Sequence, residues 1–171
     1  MKLIRVICYL VISTIVGGLL YWWVFPPDSV LIERRIHSLV KLFPSKASES
    51  TFSRLIQANR IADHFTHDVA IRMGESYTTM GDIQGRSDLI QSAAAVRTRW
   101  PNLRFEVLDV TTTLTNEGQQ AKVRFGLLMW MNQEPDPVSQ MLQLVLRKEQ
   151  RKWLIFLVEP EPDIPLELDV R

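Results

Sequence analysis

The sequence predicts an α+β fold in which a curled antiparallel sheet wraps around helices, preceded by one transmembrane helix. Three observations carry this. Four long strand-like runs separated by short turns fill Leu103 to Glu159. Three helix-period patterns precede them. Residues 6–25 form an apolar run of twenty residues without a charge. Helices first, then a meander, is the order of an α+β domain rather than of alternating βα units.

The apolar run reads VICYLVISTIVGGLLYWWVF. As a helix it would be about 30 Å long, the thickness of a bilayer's hydrocarbon core. Lys2 and Arg5 precede it, and Tyr21, Trp22 and Trp23 stand at its far end, where amphipathic rings favour the headgroup region. Pro26-Pro27-Asp28 then stops the helix. A cleaved signal peptide would have a shorter core and a small-residue cleavage site, whereas this run ends in bulky Trp-Trp-Val-Phe. The expectation is an uncleaved single-pass anchor over 1–27. With so short a segment ahead of it, the C-terminal domain is expected outside the cytoplasm, at a bacterial inner membrane.

From Asp28 the chain turns amphipathic. Val30, Leu31, Ile32, Ile36, Leu39, Val40 and Phe43 recur at helical spacing up to Pro44, with Asp28 or Ser29 as N-cap. The mixed charge of the polar face points to packing on the domain rather than on lipid. This helix and a polar joint make a segment over 28–50. The domain proper is expected over 51–160. It opens with a second helix from Thr51 to Phe65, whose apolar face is Phe52, Leu55, Ile56, Ile61, Ala62 and Phe65. A short strand, Val69 to Met73, follows. A loop marked by Gly74, Gly81 and Gly85 then leads to a third helix over Arg86 to Trp100, stopped by Pro101. The tail over 161–171, rich in proline, is expected to be extended.

Composition limits the function classes. The chain has 20 basic and 19 acidic residues, too balanced for the basic footprint of sequence-independent nucleic-acid binding. Its single cysteine, Cys8, excludes an intrachain disulfide and a cysteine-based zinc site. His64 and His67 stand three apart, but no third ligand is evident, so no metal is expected, and no cofactor.

Alternation assigns the sheet's faces. Phe105, Val107, Asp109, Thr111 and Thr113 share the concave side of the first long strand, and Ala121, Val123, Phe125, Leu127 and Met129 that of the next. Trp153, Ile155, Leu157 and Glu159 continue it on the last. Asp109 and Glu159 are thus weak catalytic candidates, because desolvation on an apolar face raises a carboxyl's pKa toward general acid or base work. Tyr77, Phe105, Asp109 and Phe125 are expected to line a pocket for a small hydrophobic ligand. The convex face carries Leu108, Val110, Leu128, Trp130, Met141, Val145, Leu154, Phe156 and Val158. That is too apolar for a solvated face and implies an interface, a homodimer or a protein partner docking on Leu128, Trp130, Val145 and Phe156.

Local signatures add a resemblance. Ala62-Asp63-His64-Phe65-Thr66-His67-Asp68-Val69, Gly85 followed by Ile90, Ala121-Lys122-Val123 after a turn, and Lys152-Trp153-Leu154-Ile155 in the last strand, in this order, resemble the nuclear transport factor 2-like superfamily over about 52–159. The resemblance implies a cone-shaped α+β domain. Its members include ketosteroid isomerases, polyketide cyclases, dehydratases, non-catalytic dimerisation modules and membrane-anchored parts of secretion machines, so fold alone does not decide activity. No catalytic motif of the isomerases matches positions here. The expectation is a membrane-anchored, non-catalytic interaction module. The alternative is a ligand binder or an isomerase, dehydratase or cyclase using the cone pocket.

Overall fold

A computed structural model describes residues 26–44, 48–72, 81–131 and 136–161. The expected membrane span over 6–25, Tyr77, and the tail beyond 161 lie outside them. Among the described residues no helix is long and apolar enough to cross a membrane.

Three helices, α1 (Asp28–Val40), α2 (Thr51–Ala62) and α3 (Gly85–Arg99), pack on a six-stranded sheet. The strands are β1 (Phe65–Ile71), β2 (Ile83–Gln84), β3 (Arg104–Thr115), β4 (Gln120–Trp130), β5 (Val138–Glu149) and β6 (Lys152–Pro160), in the order β2-β1-β6-β5-β4-β3. The meander β3 to β6 is antiparallel throughout, as alternation predicts. β1 joins it in parallel with β6, so the last strand lies inside the sheet, and β2 forms the far edge.

Aligned pairs place Ala121, Leu146 and Ile155 in one row of the inner face, and Val123, Leu144 and Val158 in the next. Against these α1 buries Ile32, Ile36 and Leu39, all in the same core cluster as the sheet residues. α1 therefore packs on the domain, as its mixed polar face implied. Its N-terminus differs from expectation. Pro27 occupies the N-cap position, and Asp28 instead accepts hydrogen bonds from Lys148 Nζ at 2.8 Å and Trp153 Nε1 at 2.9 Å.

α2 ends earlier than its periodicity suggests. Ser50 Oγ caps it by accepting from the Ser53 N–H, and the Asp63 and His64 amides close its last turn. Phe65 therefore opens β1 instead of ending the helix, because the Ile155 N–H donates to the His64 carbonyl and draws the chain into the sheet. The apolar stripe of α2 is only half covered. Ala58, Ile61 and Ala62 are buried, but Phe52, Leu55 and Ile56 are exposed. Gly85 adopts φ 79°, a left-handed conformation that turns β2 directly into α3 at little cost only for glycine.

Candidate functional site

Two β-bulges decide where the candidate carboxylates go. In β3, Leu108 pairs with Gly126 and Thr111 with Arg124, leaving Asp109 and Val110 together opposite Phe125. Asp109 takes φ 51° at this bulge. The extra residue reverses the alternation beyond it. Leu108 and Asp109 are both exposed, while Val110 packs on the core. In β6, Leu157 pairs with Val145 and Ile155 with Leu146, leaving Phe156 unpaired. Glu159 then pairs with Gln143, so it lies on the convex face with Gln143 Nε2 donating at 2.7 Å and Arg72 at 3.3 Å. Neither Asp109 nor Glu159 faces the cone interior, which corrects the phase read from strict alternation. Leu157 moves outward and Val158 inward for the same reason.

The concave side is correspondingly apolar. Phe125 is buried, and Phe105 meets Phe43 edge to face at 5.0 Å between ring centres. α1 lies across this face, from Asp28 beside Lys148 to the Phe43 that follows it against Phe105. Val107, Leu127, Leu142, Ile90 and Ile83 are partly buried around the core. By strand pairing, Thr112, Gln140 and Lys148 are the polar side chains of this face among the described residues, and Lys148 is engaged by Asp28. Apart from that Lys148–Asp28 pair, no two described ionisable groups converge there.

The polar clusters lie instead between helices. His64 is buried at the end of α2, with Nδ1 3.0 Å from the Arg60 carbonyl and Nε2 2.9 Å from Ser38 Oγ of α1. Because the carbonyl can only accept, Nδ1 carries the proton, an assignment made from the hydrogen-bond network, and Nε2 faces the Ser38 hydroxyl, whose single proton it shares with the Arg35 carbonyl as competing acceptor. Burial, and then the neighbouring Arg35 charge, push the His64 pKa below its ordinary value. A neutral imidazole beside a hydroxyl is the geometry of a base and a nucleophile. Here, however, Ser38 Oγ is also 2.8 Å from the Arg35 carbonyl, and the surrounding amides belong to a helix, so no oxyanion donor adjoins it. The pair ties α1 to α2. With both ring nitrogens engaged, and His67 exposed on β1, the two histidines do not converge as metal ligands.

Around it, the last carbonyls of α2 meet cations. Arg86 donates to the Ala62 carbonyl at 2.7 Å and pairs with Asp63, and Arg35 donates to the Asp63 carbonyl. This is the favoured charge at a helix C-terminus. At the other end of α2, Arg97 of α3 is 4% exposed. It forms a bidentate pair with Glu49 at 2.8 and 2.9 Å and also donates to the Leu42 and Phe43 carbonyls. The sequence alone does not single out Arg97, because the groups that bury it come from elsewhere in the chain. An open cleft of about 660 Å³ beside this pair is lined by Lys41, Ser50, Ser53, Gln57 and Arg60.

The convex face is less apolar than alternation implied. Val110 and Val158 point inward, and Leu128, Trp130, Val145 and Phe156 are half-buried. Arg104 lies over the Trp130 ring at 4.8 Å and Arg147 over Phe156 at 4.1 Å. Arg124 pairs with Glu161, and Glu159 with Arg72, between these two aromatic ends. The face is thus two apolar patches with a charged belt between them.

No family model matches the chain, and no curated protein matches it. Solved structures do. A candidate aromatic ring hydroxylase from Novosphingobium aromaticivorans superposes with a TM-score of 0.62 at 11% identity, covering 80% of this chain and 91% of that one. A candidate scytalone dehydratase from the same organism gives 0.59 at 14%, covering 78% and 83%. A candidate dehydratase of the NTF2-like family from Streptomyces avermitilis gives 0.58 at 12%, covering 78% and 97%. At such identities the likeness is one of fold. The described residues adopt the NTF2-like cone.

Proposed function

We propose that this chain is a membrane-anchored, non-catalytic NTF2-like module for protein interaction or assembly at the bacterial envelope, held by residues 6–25. The observation that carries this reading is the inner face of the cone. Its described side chains are almost wholly apolar, α1 lies across it, and both candidate carboxylates are turned outward by bulges. An acid or base poised for catalysis needs a converging partner at hydrogen-bond reach, and the described pair on this face, Lys148 with Asp28, is taken up in holding the start of α1.

The partner surface is the convex sheet, through Leu128, Trp130, Val145 and Phe156. Aromatic rings stacked with arginine suit an interface core better than a free surface. Sedimentation of the detergent-solubilised chain, wild type against Trp130→Glu, tests this. Self-association that is lost in the variant supports a homodimer through this face. A monomer in both cases removes it.

The second reading is an enzyme or ligand binder using the cone interior at Phe105 and Phe125. The named chemistries of the structural neighbours, dehydratase and hydroxylase, favour it. A small apolar ligand whose binding is abolished by Leu127→Trp, with the melting temperature unchanged, would replace the first reading by this one.

A further inference from the structure

The clamp on Asp28 fixes more than one helix end. Lys148 and Trp153 are paired neighbours on β5 and β6, one step from the pair Glu149 and Lys152 that closes the hairpin. The turn between them is Gln150-Arg151. The Lys148 N–H donates to the Gln119 carbonyl, so the β3–β4 turn at 116–119 lies at this same end of the sheet. The start of α1 is therefore bound to the hairpin tips.

Only Pro26 and Pro27 separate Asp28 from the apolar run that ends at Phe25. Pro27 is extended, with φ −60° and ψ 149°. Three residues at about 3.1 Å each span roughly 10 Å. The polar layer of a bilayer is about 5–8 Å thick on each side. With so short and stiff a connection, Asp28, and with it the β5–β6 tip, stays within a few ångströms of the headgroup layer if residues 6–25 span the membrane.

The chemistry of the tip fits that place. Arg151 and Lys152 are both exposed. Gln150 and Arg151 take φ 47° and 66°, the left-handed pair of a two-residue hairpin turn that asparagine and glycine adopt more cheaply. The backbone holds an arginine where its side chain is costly. Glu149 sits 4.0 Å from Arg147, and Glu117 on the neighbouring turn is the opposing charge at this end. A guanidinium binds phosphate oxygens bidentately and an ammonium adds a point charge.

We infer that the Gln150-Arg151 turn is a membrane-facing tip, with Arg151 and Lys152 binding the phosphates of anionic phospholipid headgroups. This rests on the anchor reading proposed above. The test uses the full chain with Cys8→Ser, carrying a nitroxide at Gln150→Cys or, as control, at Ser139→Cys. Ser139 is exposed on β5, eleven residues from Gln150 and so roughly 35 Å away at the far end of the strand. The chain is reconstituted in vesicles of equal parts phosphatidylglycerol and phosphatidylcholine, and collision of each label with a water-soluble nickel relaxant is measured. The expected result is at least threefold lower collision at position 150 than at 139, with the difference shrinking in phosphatidylcholine alone and after Arg151→Glu with Lys152→Glu. Equal collision at both positions in a chain that floats with the vesicles overturns the tip and leaves the anchor standing. A difference that persists unchanged in phosphatidylcholine overturns the headgroup assignment. A chain that does not float removes the anchor, and the tip with it.

Discussion

α1 and α2 are of similar length and each carries an apolar stripe, yet they end in opposite circumstances. The stripe of α1 lies across the inner sheet, with Ile32 and Ile36 at most 1% exposed. α2 packs on α3 and touches the sheet only near its C-terminal end, so Phe52, at 72% exposed, and Leu55, at 47%, overhang. Amphipathicity reports that a face is suited to burial. It does not report what is available to cover it. α2 is kept in place at its two ends, by the Arg97–Glu49 pair and by the arginines and His64 at its C-terminus, more than by its stripe.

The comparison breaks most decisively at the first of those ends. Glu49→Ala leaves the Arg97 guanidinium buried without its carboxylate, and loss of one partner of such a pair costs about 3–5 kcal/mol. Urea unfolding of the variant should show it. A loss below 1 kcal/mol would mean that α2 is held by its own apolar contacts after all. Ile36→Ala, on the fully covered stripe, should cost about 2–5 kcal/mol in the same measurement.

Asp28→Asn removes the charge that joins α1 to Lys148 but keeps a hydrogen-bonding side chain, so about 1 kcal/mol is expected, discounted because both groups remain partly exposed. The hydrogen bond from Lys148 holds the Asp28 pKa below its ordinary value. Its contribution is therefore present above about pH 4 and is lost as pH falls through the lowered folded pKa. His64 titrates in a different window with the same sign. Its folded pKa lies below 6.5, so its contribution is complete above that pH and is lost as pH falls through the folded value. The melting temperature should decline from pH 6.5 downward in the wild type and stay flatter over that window in His64→Gln. Phe52→Ser marks the smallest effect, within about 0.5 kcal/mol, because little is buried there. A larger loss would show that the α2 overhang is covered in solution.

Much of the fold was legible from periodicity. The four meander strands and the third helix fall within a residue or two of their expected bounds, because long alternating runs between turn residues have few other solutions. The side-chain faces were legible only up to the first bulge on each strand. Nothing in Leu108-Asp109-Val110 or Ile155-Phe156-Leu157 marks an extra residue, since a bulge is set by the partner strand. One inserted position on each strand moved Asp109 and Glu159 out of the cone. β2 was missed because two residues are too short to show a period. Arg97 escaped notice because the carbonyls and carboxylate that bury it come from a segment about fifty positions earlier in the chain.

The position of β6 between β1 and β5 bears on the order of events during synthesis. Phe65 must find Ile155, 90 positions later in the sequence. At roughly 5–20 residues per second, translation needs roughly 5–18 s to make that partner. During this interval β1 has no neighbour on that side, and Asp28 lacks both Lys148 and Trp153. The nascent chain thus carries its helices as an unclosed assembly whose apolar faces are open to chaperones. Completion waits for the last strand to leave the ribosome.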